Sequence, residues 1–433
     1  MSIVSVLYLT EHPSNGIVIM KLFSRTDCRW CRLGTVFAIL CGLWAESHAD
    51  ERDYHFDRAI SRPVLENYLS RAVTYSDLLY GVGNPDDNLR FLTNTGTKFV
   101  GRAIYRWGGE SELPRLLERA IPLVQRVHAA DPDIVLQAAC FEIVTTQVDQ
   151  LPVPVWLLQE FGLPEATRNF RYRDMLYPDG LKQNHWGPGA SVPDMSQLET
   201  RMWFLYLAAA YIDVGVEAIH FGQVEIMDDR DPDHVHWRDL LKRVRTYAVS
   251  HARRHLVLCD AHVPSGGIVN DGQLLFDLHS FPLRIEEVAD QPLAGVLQMG
   301  YLDSLFGRSK GGVTPSGWSC DHLPFLVELD NFEPSGREGQ NMGGHWCWGY
   351  DEISWFAHLS KEQRNQWLQY AWQWIREHDP NGWLQMPGSR TLCAPVGDCH
   401  WYFANTRSTA VPTGFNQEET IKAIWAQHEQ KQN

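Results

Sequence analysis

Short apolar runs alternate with helical patterns along most of this chain, and that alternation limits the fold more than any single residue does. A strand followed by a helix returns the chain for another parallel strand, so the repeated pair predicts a parallel sheet. Eight runs rich in Val, Ile, Leu and Phe fit strands: Leu78 to Val82, Phe99 to Ile104, Ile134 to Phe141, Ala218 to Val224, Leu256 to Cys259, Leu274 to Leu278, Phe325 to Leu329 and Trp383 to Met386. Helical stripes lie between several of them. Glu112 to Ala129 carries Leu113, Leu116, Leu117, Ile121, Val124 and Val127 on one face. Gln197 to Val214, Trp237 to His251 and Lys361 to His378 are further helices, the last stopped by Asp379-Pro380-Asn381-Gly382. Eight strands with crossovers predict an α/β fold, a single (β/α)8 TIM barrel. At 433 residues the chain has room for a barrel with long loops at its C-terminal face. The rival is an open doubly wound sheet. No G-x-G-x-x-G follows the first strand, which argues against dinucleotide binding.

The first 49 residues stand apart from this pattern. Met20 opens a segment with Lys21, Arg25, Arg29 and Arg32, followed by an apolar run from Leu33 to Ala45 and by Ser47-His48-Ala49. A basic region, a short apolar core and small residues before a cleavage point make a secretory signal. The expectation is an upstream extension and signal over residues 1–49, a true start at Met20, and a barrel domain over residues 50–433. The mature protein is then secreted or periplasmic. The apolar run is shorter than the ~20 residues that span a bilayer, so no stable membrane insertion follows cleavage. Cys28, Cys31 and Cys41 leave with the signal. Of the other six cysteines, Cys393 with Cys399 is the best disulfide pair and Cys320 with Cys347 a second candidate. Cys140 and Cys259 lie in apolar runs and are expected as buried thiols. A net charge of −15 without a basic run excludes a nucleic-acid partner. The oligomeric state is not legible.

Acidic and aromatic residues gather where the strands end. The second strand runs into Arg106-Trp107 and the third reaches Glu142. The fourth reads His220-Phe221-Gly222-Gln223-Val224-Glu225, the fifth ends Asp260-Ala261-His262, and the seventh reads Glu328-Leu329-Asp330-Asn331. Ionisable groups in apolar strands are costly unless they face a polar site. In barrels that site lies at the strand C-termini. Two carboxyl groups suffice to hydrolyse a glycosidic bond, one protonating the leaving oxygen and one attacking or activating water. Glu225 and Glu328, from opposite sides of a barrel mouth, are the leading catalytic pair. Glu142 is a third candidate, and Asp330 shares the strand face of Glu328. Loop tryptophans Trp107, Trp186 and Trp346 are candidate stacking platforms for sugar rings. Arg106, His220, Asp260, His262, Asp330 and Asn331 complete the candidate binding set.

This arrangement resembles the large clan of retaining (β/α)8 glycoside hydrolases, whose acid/base glutamate ends strand four and whose nucleophile glutamate ends strand seven. The resemblance implies that Glu225 is the acid/base and Glu328 the nucleophile, with a poly- or oligosaccharide substrate. The residue before Glu225 is Val224, where that clan usually carries Asn.

Two other classes remain open. His220, Glu225, Asp260, His262 and His279 could serve a metal-dependent barrel hydrolase or isomerase. A catalytically inactive barrel could bind carbohydrate alone. No metal or other cofactor is assigned.

Overall fold

Residues 52–332 and 338–432 are described by a computed structural model. Its centre is a curled sheet of parallel strands. These are β1 (Ala72–Tyr75), β2 (Phe99–Arg106), β3 (Val135–Cys140), β4 (Ala218–Gln223), β5 (Leu258–His262), β6 (His279–Pro282), β7 (Phe325–Glu328) and β8 (Gly382–Leu384). Each pairs in parallel with the next from β1 to β8. After one residue, Gln385, the chain continues as β9 (Met386–Val396), which pairs in parallel with β1 and antiparallel with β10 (Cys399–Phe403). The Gln385 N–H still donates to Val327 O at 2.8 Å, so the β7 ladder runs up to the residue where the β1 ladder begins.

Helices cover part of the sheet. The first, α1 (Arg62–Leu69), precedes β1, and α2 (Pro85–Thr95), α3 (Leu113–Ala130) and the short α4 (Val155–Glu160) follow in order. Next come α5 (Leu198–Asp213), α6 (Val235–His251), α7 (Glu352–His358), α8 (Lys361–His378) and α9 (Glu418–Gln432). Their ends are written in the sequence. Asn84 caps α2 by accepting from Asp86 N and Asp87 N, with Pro85 at the first helical position, and Gly96 closes the helix in left-handed conformation. Ser360 and Gln363 form a reciprocal capping box at the start of α8. The α5 helix buries apolar residues all round, because Trp203 packs on Phe170 of the 142–196 connection while Phe204 packs on Trp237 of α6.

The structure corrects three features of the sequence reading. The first strand is Ala72–Tyr75, not Leu78 to Val82; Asp77 and Gly81 take left-handed backbone and turn Leu78–Tyr80 into a 3-10 helix. The sixth strand is His279–Pro282, and the apolar run before it packs as a buried lead-in through Leu275, Phe276 and Leu278. No helix lies between β5 and β6 or between β6 and β7. Short strand pairs stand there instead: Val269–Asn270 with Gln273–Leu274, Glu286–Glu287 with Gly295–Val296, and Gly312–Val313 with Ser319–Cys320. The regular strand–helix alternation therefore fails on this flank.

Among the described residues all six cysteines are free. In the β9–β10 hairpin Cys399 opposes Val396, and the Cys393 thiol faces the carboxyl of Asp351, so the expected bridge does not form. Cys320 donates to Gly312 O at 3.8 Å, while Cys347 is buried beside Glu352 and Glu287. Cys140 and Cys259 are buried thiols, as the apolar runs predict, and burial pushes Cys259 up to about 12. The signal, its three cysteines and the cleavage point lie outside the described residues. No described helix is long and apolar enough to cross a membrane.

Candidate active site

Barrels normally fill the space inside the strands with branched apolar side chains. Here a hydrogen-bonded polar layer occupies it. Gln385 Nε2 donates to Thr74 Oγ1, and Thr74 Oγ1 donates to Glu328 Oε2, both at 2.8 Å. Arg102 Nε donates to Glu328 Oε1 at 2.8 Å, its Nη2 bonds the same oxygen, and Arg390 Nη1 donates to Oε2 at 2.9 Å. The Arg102 backbone N donates to Gln137 Oε1 at 3.2 Å, and Gln137 Nε2 donates to Asp260 Oδ1 at 2.6 Å. Asp260 Oδ2 also takes Ser280 Oγ and His220 Nδ1, each at 2.7 Å. Buried polar groups are tolerable when paired, and this layer pairs almost all of its own.

Local backbone chemistry aims these side chains. Arg102 sits at φ 57° within an irregular stretch of β2 between Val100 and Ile104. The left-handed region is costly for a residue with a Cβ, and such strain concentrates at functional sites. A Cβ on Gly222, itself at φ 61°, would lie 2.1 Å from Glu142 Oε2, so only glycine lets β4 pass this carboxylate.

Above the layer a cavity of about 490 Å³ opens at the C-terminal ends of the strands. Arg102, His262 and Arg390 form its base, and its other lining residues include Tyr105, Gln223 and Cys393. Its carboxylates are Glu142 and Asp330. Glu142 is buried and accepts from Gln223 N and from Gln223 Nε2, both at 2.8 Å. Asp330 bonds Arg390 Nη2, and its backbone N–H donates to Glu352 Oε2 at 3.1 Å. Arg390 Nε donates to Asn331 Oδ1 at 2.9 Å, which places Asn331 on the same wall.

Aromatic rings line two sides. Trp107 stands edge-on to Trp186 at 5.0 Å and to Phe141 at 5.4 Å. Trp186 Nε1 donates to Glu142 O at 2.9 Å, which ties the 181–189 loop to the end of β3. Phe332, also in the lining, packs on Trp346 at 4.9 Å. Trp107 is 47% exposed, so its ring face is available to a ligand.

The predicted residues separate into three places. Glu142, Trp107, Trp186, His262, Asp330 and Asn331 line the cavity. Glu328, His220 and Asp260 belong to the layer beneath it, and Trp346 braces the wall through Phe332. Glu225 and Arg106 lie elsewhere. Glu225 is in the 3-10 turn Val224–Ile226, with both carboxylate oxygens 3.3 Å from Ser265 N. Arg106 folds back on Gly108 O at 3.3 Å and Gly109 O at 3.4 Å. The structure thus does not bring Glu225 and Glu328 into one pocket, because the turn after Gln223 carries Glu225 out of strand register. Arg102, Arg390, Tyr105 and Gln223 are site residues outside the sequence-derived set. Arg102 carried a signal, a cation within an apolar strand.

Glu328 has opposed influences. Burial works against its charged form, but Arg102 and Arg390 outweigh burial and hold the carboxyl well below the usual carboxylate range. His262 is also shifted down: burial, His220 and Arg102 keep it well below the usual imidazole range, which leaves this ring neutral beside the charged carboxylate. Of the metal-site candidates, His220, Asp260 and His262 lie together, while Glu225 is held at Ser265 and His279 at Ser309. His279 sits 3.1 Å from Ser309 Oγ, and among the described residues no group of three or more His, Cys, Asp or Glu is placed to hold an ion.

No family model matches this chain, and no curated protein does. Among solved structures it is similar to a debranching enzyme from Nostoc punctiforme, at 12% identity and a TM-score of 0.42, over 80% of this chain and 72% of that one. An alpha-amylase from Lactobacillus plantarum gives 12% identity and a TM-score of 0.41, over 83% and 80%. A GH2 beta-galacturonidase from Eisenbergiella tayi bound to galacturonate gives 11% and 0.37, over 79% of this chain and 47% of its own. The chain thus spans less than half the length of that enzyme.

Proposed function

We propose that this protein is a secreted glycoside hydrolase that cleaves a poly- or oligosaccharide with Glu142 and Asp330 as its two carboxyl groups. One observation carries the reading: these two are the carboxylates that line the aromatic-walled cavity at the strand C-termini. Their surroundings divide the roles. Asp330 bonds a guanidinium and takes the anionic part, attacking the anomeric carbon or drawing a proton from water. That leaves Glu142, bonded by Gln223 N and Gln223 Nε2, as the second carboxyl and the proton donor to the leaving oxygen. Glu328 is the buried anion that orients Arg102 and Arg390. In the strand-four and strand-seven scheme Glu328 would instead be the nucleophile; its ionised state suits that part, while its position under both guanidiniums favours the supporting one.

We further infer that β8 and β9 act as one strand hinged at Gln385, which closes the sheet into a (β/α)8-type barrel without helices after β5 and β6.

The test is release of reducing ends from a broad panel of neutral and anionic glycans, with the Glu142→Gln/Asp330→Asn double variant as control. Turnover by the wild type alone supports the reading. Binding without turnover by the wild type would leave a carbohydrate-binding barrel. Export is read separately: N-terminal sequencing of protein from the medium or periplasm should begin at Asp50. An intact N-terminus in the cell pellet would overturn that part.

A further inference from the structure

His262 lines the cavity and His220 lies in the layer beneath it, and each is held through one ring nitrogen. His220 gives Nδ1 to Asp260 Oδ2 at 2.7 Å, with Ser280 Oγ 3.1 Å from the same nitrogen. Its Nε2 is buried and has no hydrogen-bond partner among the described residues. A buried polar atom left unpaired is costly, and such an orphan in an otherwise paired layer calls for an occupant.

His262 is held by its other nitrogen. Its Nε2 lies 3.3 Å from Arg102 Nη2 and 4.0 Å from Glu328 Oε1. Arginine can only donate, so Nε2 accepts and the single proton of a neutral ring sits on Nδ1. Burial, with His220 and Arg102 nearby, keeps this ring neutral. The charged groups that face it are Arg102, Glu328 and Arg284. The two imidazoles meet edge to face at 4.7 Å, and the Phe141 ring lies 5.9 Å from that of His220. Phe141 and His262 both line the cavity.

We propose that His220 Nε2 and His262 Nδ1 together hold one O–H group at the cavity floor, the first accepting its proton and the second donating to its oxygen. A hydroxyl or a water both donates and accepts, which matches one acceptor beside one donor. A carboxylate has no proton to give, and an ammonium has no lone pair to receive. The group is a hydroxyl of a bound neutral sugar or a resident water that the sugar meets. Asp260 and Arg102 are positioning residues, because each fixes which nitrogen of its histidine carries the proton. The sugar source rests on the function proposed above, and the water source does not.

Nitrogen NMR of the full chain with labelled histidine tests this without any need for turnover. Expected spectra of the neutral rings show the proton on Nδ1 of both His220 and His262. If a water is resident, His220 Nε2 reads as hydrogen-bonded in the free protein. If the sugar fills the site, that nitrogen shifts on adding the methyl glycoside of galactose, glucose or mannose. Glucuronate and glucosamine are the charged controls. His220→Asn keeps a donor for Asp260 and removes Nε2; His262→Gln keeps an acceptor for Arg102 and removes the ring Nδ1. Each variant should abolish the signature, and where a glycoside binds, each should weaken it about tenfold or more. A proton on His262 Nε2, or a free lone pair on His220 Nε2 both with and without glycosides, would overturn the proposal. Inactivity of the enzyme with these spectra intact would overturn the hydrolase reading alone.

Discussion

Replacing Glu328 by Gln should destabilise the protein by about 3–5 kcal/mol, the usual consequence of leaving a buried ion pair half-made. Glu328 bonds Arg102, Arg390 and Thr74, and its side chain is 5% exposed, as are those of both arginines. A neutral amide would leave one positive charge too many in the middle of the strands. Urea unfolding at pH 7 reads the effect. The pH dependence has a definite sign. The folded-state carboxyl is held below its ordinary value, so its stabilisation is present above the unfolded value of about 4.3 and is lost as pH falls. The gap between wild type and variant should therefore be full at neutral pH and narrow below about pH 4. Equal urea midpoints at pH 7 would mean that the layer is not held by this carboxylate.

The second large effect is catalytic. Glu142→Gln and Asp330→Asn should each lower kcat by about 10²–10⁴-fold, the range a positioned acid or base contributes, with glycan binding retained. Their substrate dependence should differ. A proton donor is dispensable when the leaving group is already a good one, so Glu142→Gln should recover most activity on aryl glycosides with acidic phenols. Asp330→Asn should not, because attack on the anomeric carbon, or activation of the water, is needed whatever the leaving group. Glu225→Gln, on a turn outside the cavity, should stay within about threefold of wild type. Kinetics on matched natural and aryl substrates distinguish these outcomes. If Glu225→Gln is the inactive variant, the strand-four glutamate returns as the acid.

Much of the sheet is legible in the chain because its strands are apolar runs. Val135–Cys140, Ala218–Gln223 and Phe325–Glu328 lie within a residue or two of their Val, Ile and Leu clusters. The two displaced strands lack that signature for different reasons. Ala72–Tyr75 is short and follows a helix without a Gly or Pro break. His279–Pro282 sends Ser280 into the polar layer and His279 to Ser309 on the opposite face, so burial there does not look apolar. The candidate site was legible as a region, since strand-end acids and loop tryptophans mark it. The membership of its members was not. One 3-10 turn after Gln223 takes Glu225 off the strand period of two, and a bulge in β2 swings Arg102 inward. Both are backbone irregularities, invisible to a count of residue spacing.

The flank without helices between β5 and β7 has a consequence for how such a protein can vary. Helices elsewhere are locked to the sheet by buried stripes, and lengthening one shifts its whole contact face. Short strand pairs at the surface carry no such constraint, and each doubling of a loop costs only about 0.6 kcal/mol. New sequence can therefore enter at Val269–Leu274 or Gly312–Cys320 while the strands that carry Glu142 and Arg102 keep their packing. The surface loops of that flank are free to change length, while the strands they join still hold His262, Glu328 and Asp330 in place. A library built by loop insertion should show that division directly, with folded variants concentrated on one side.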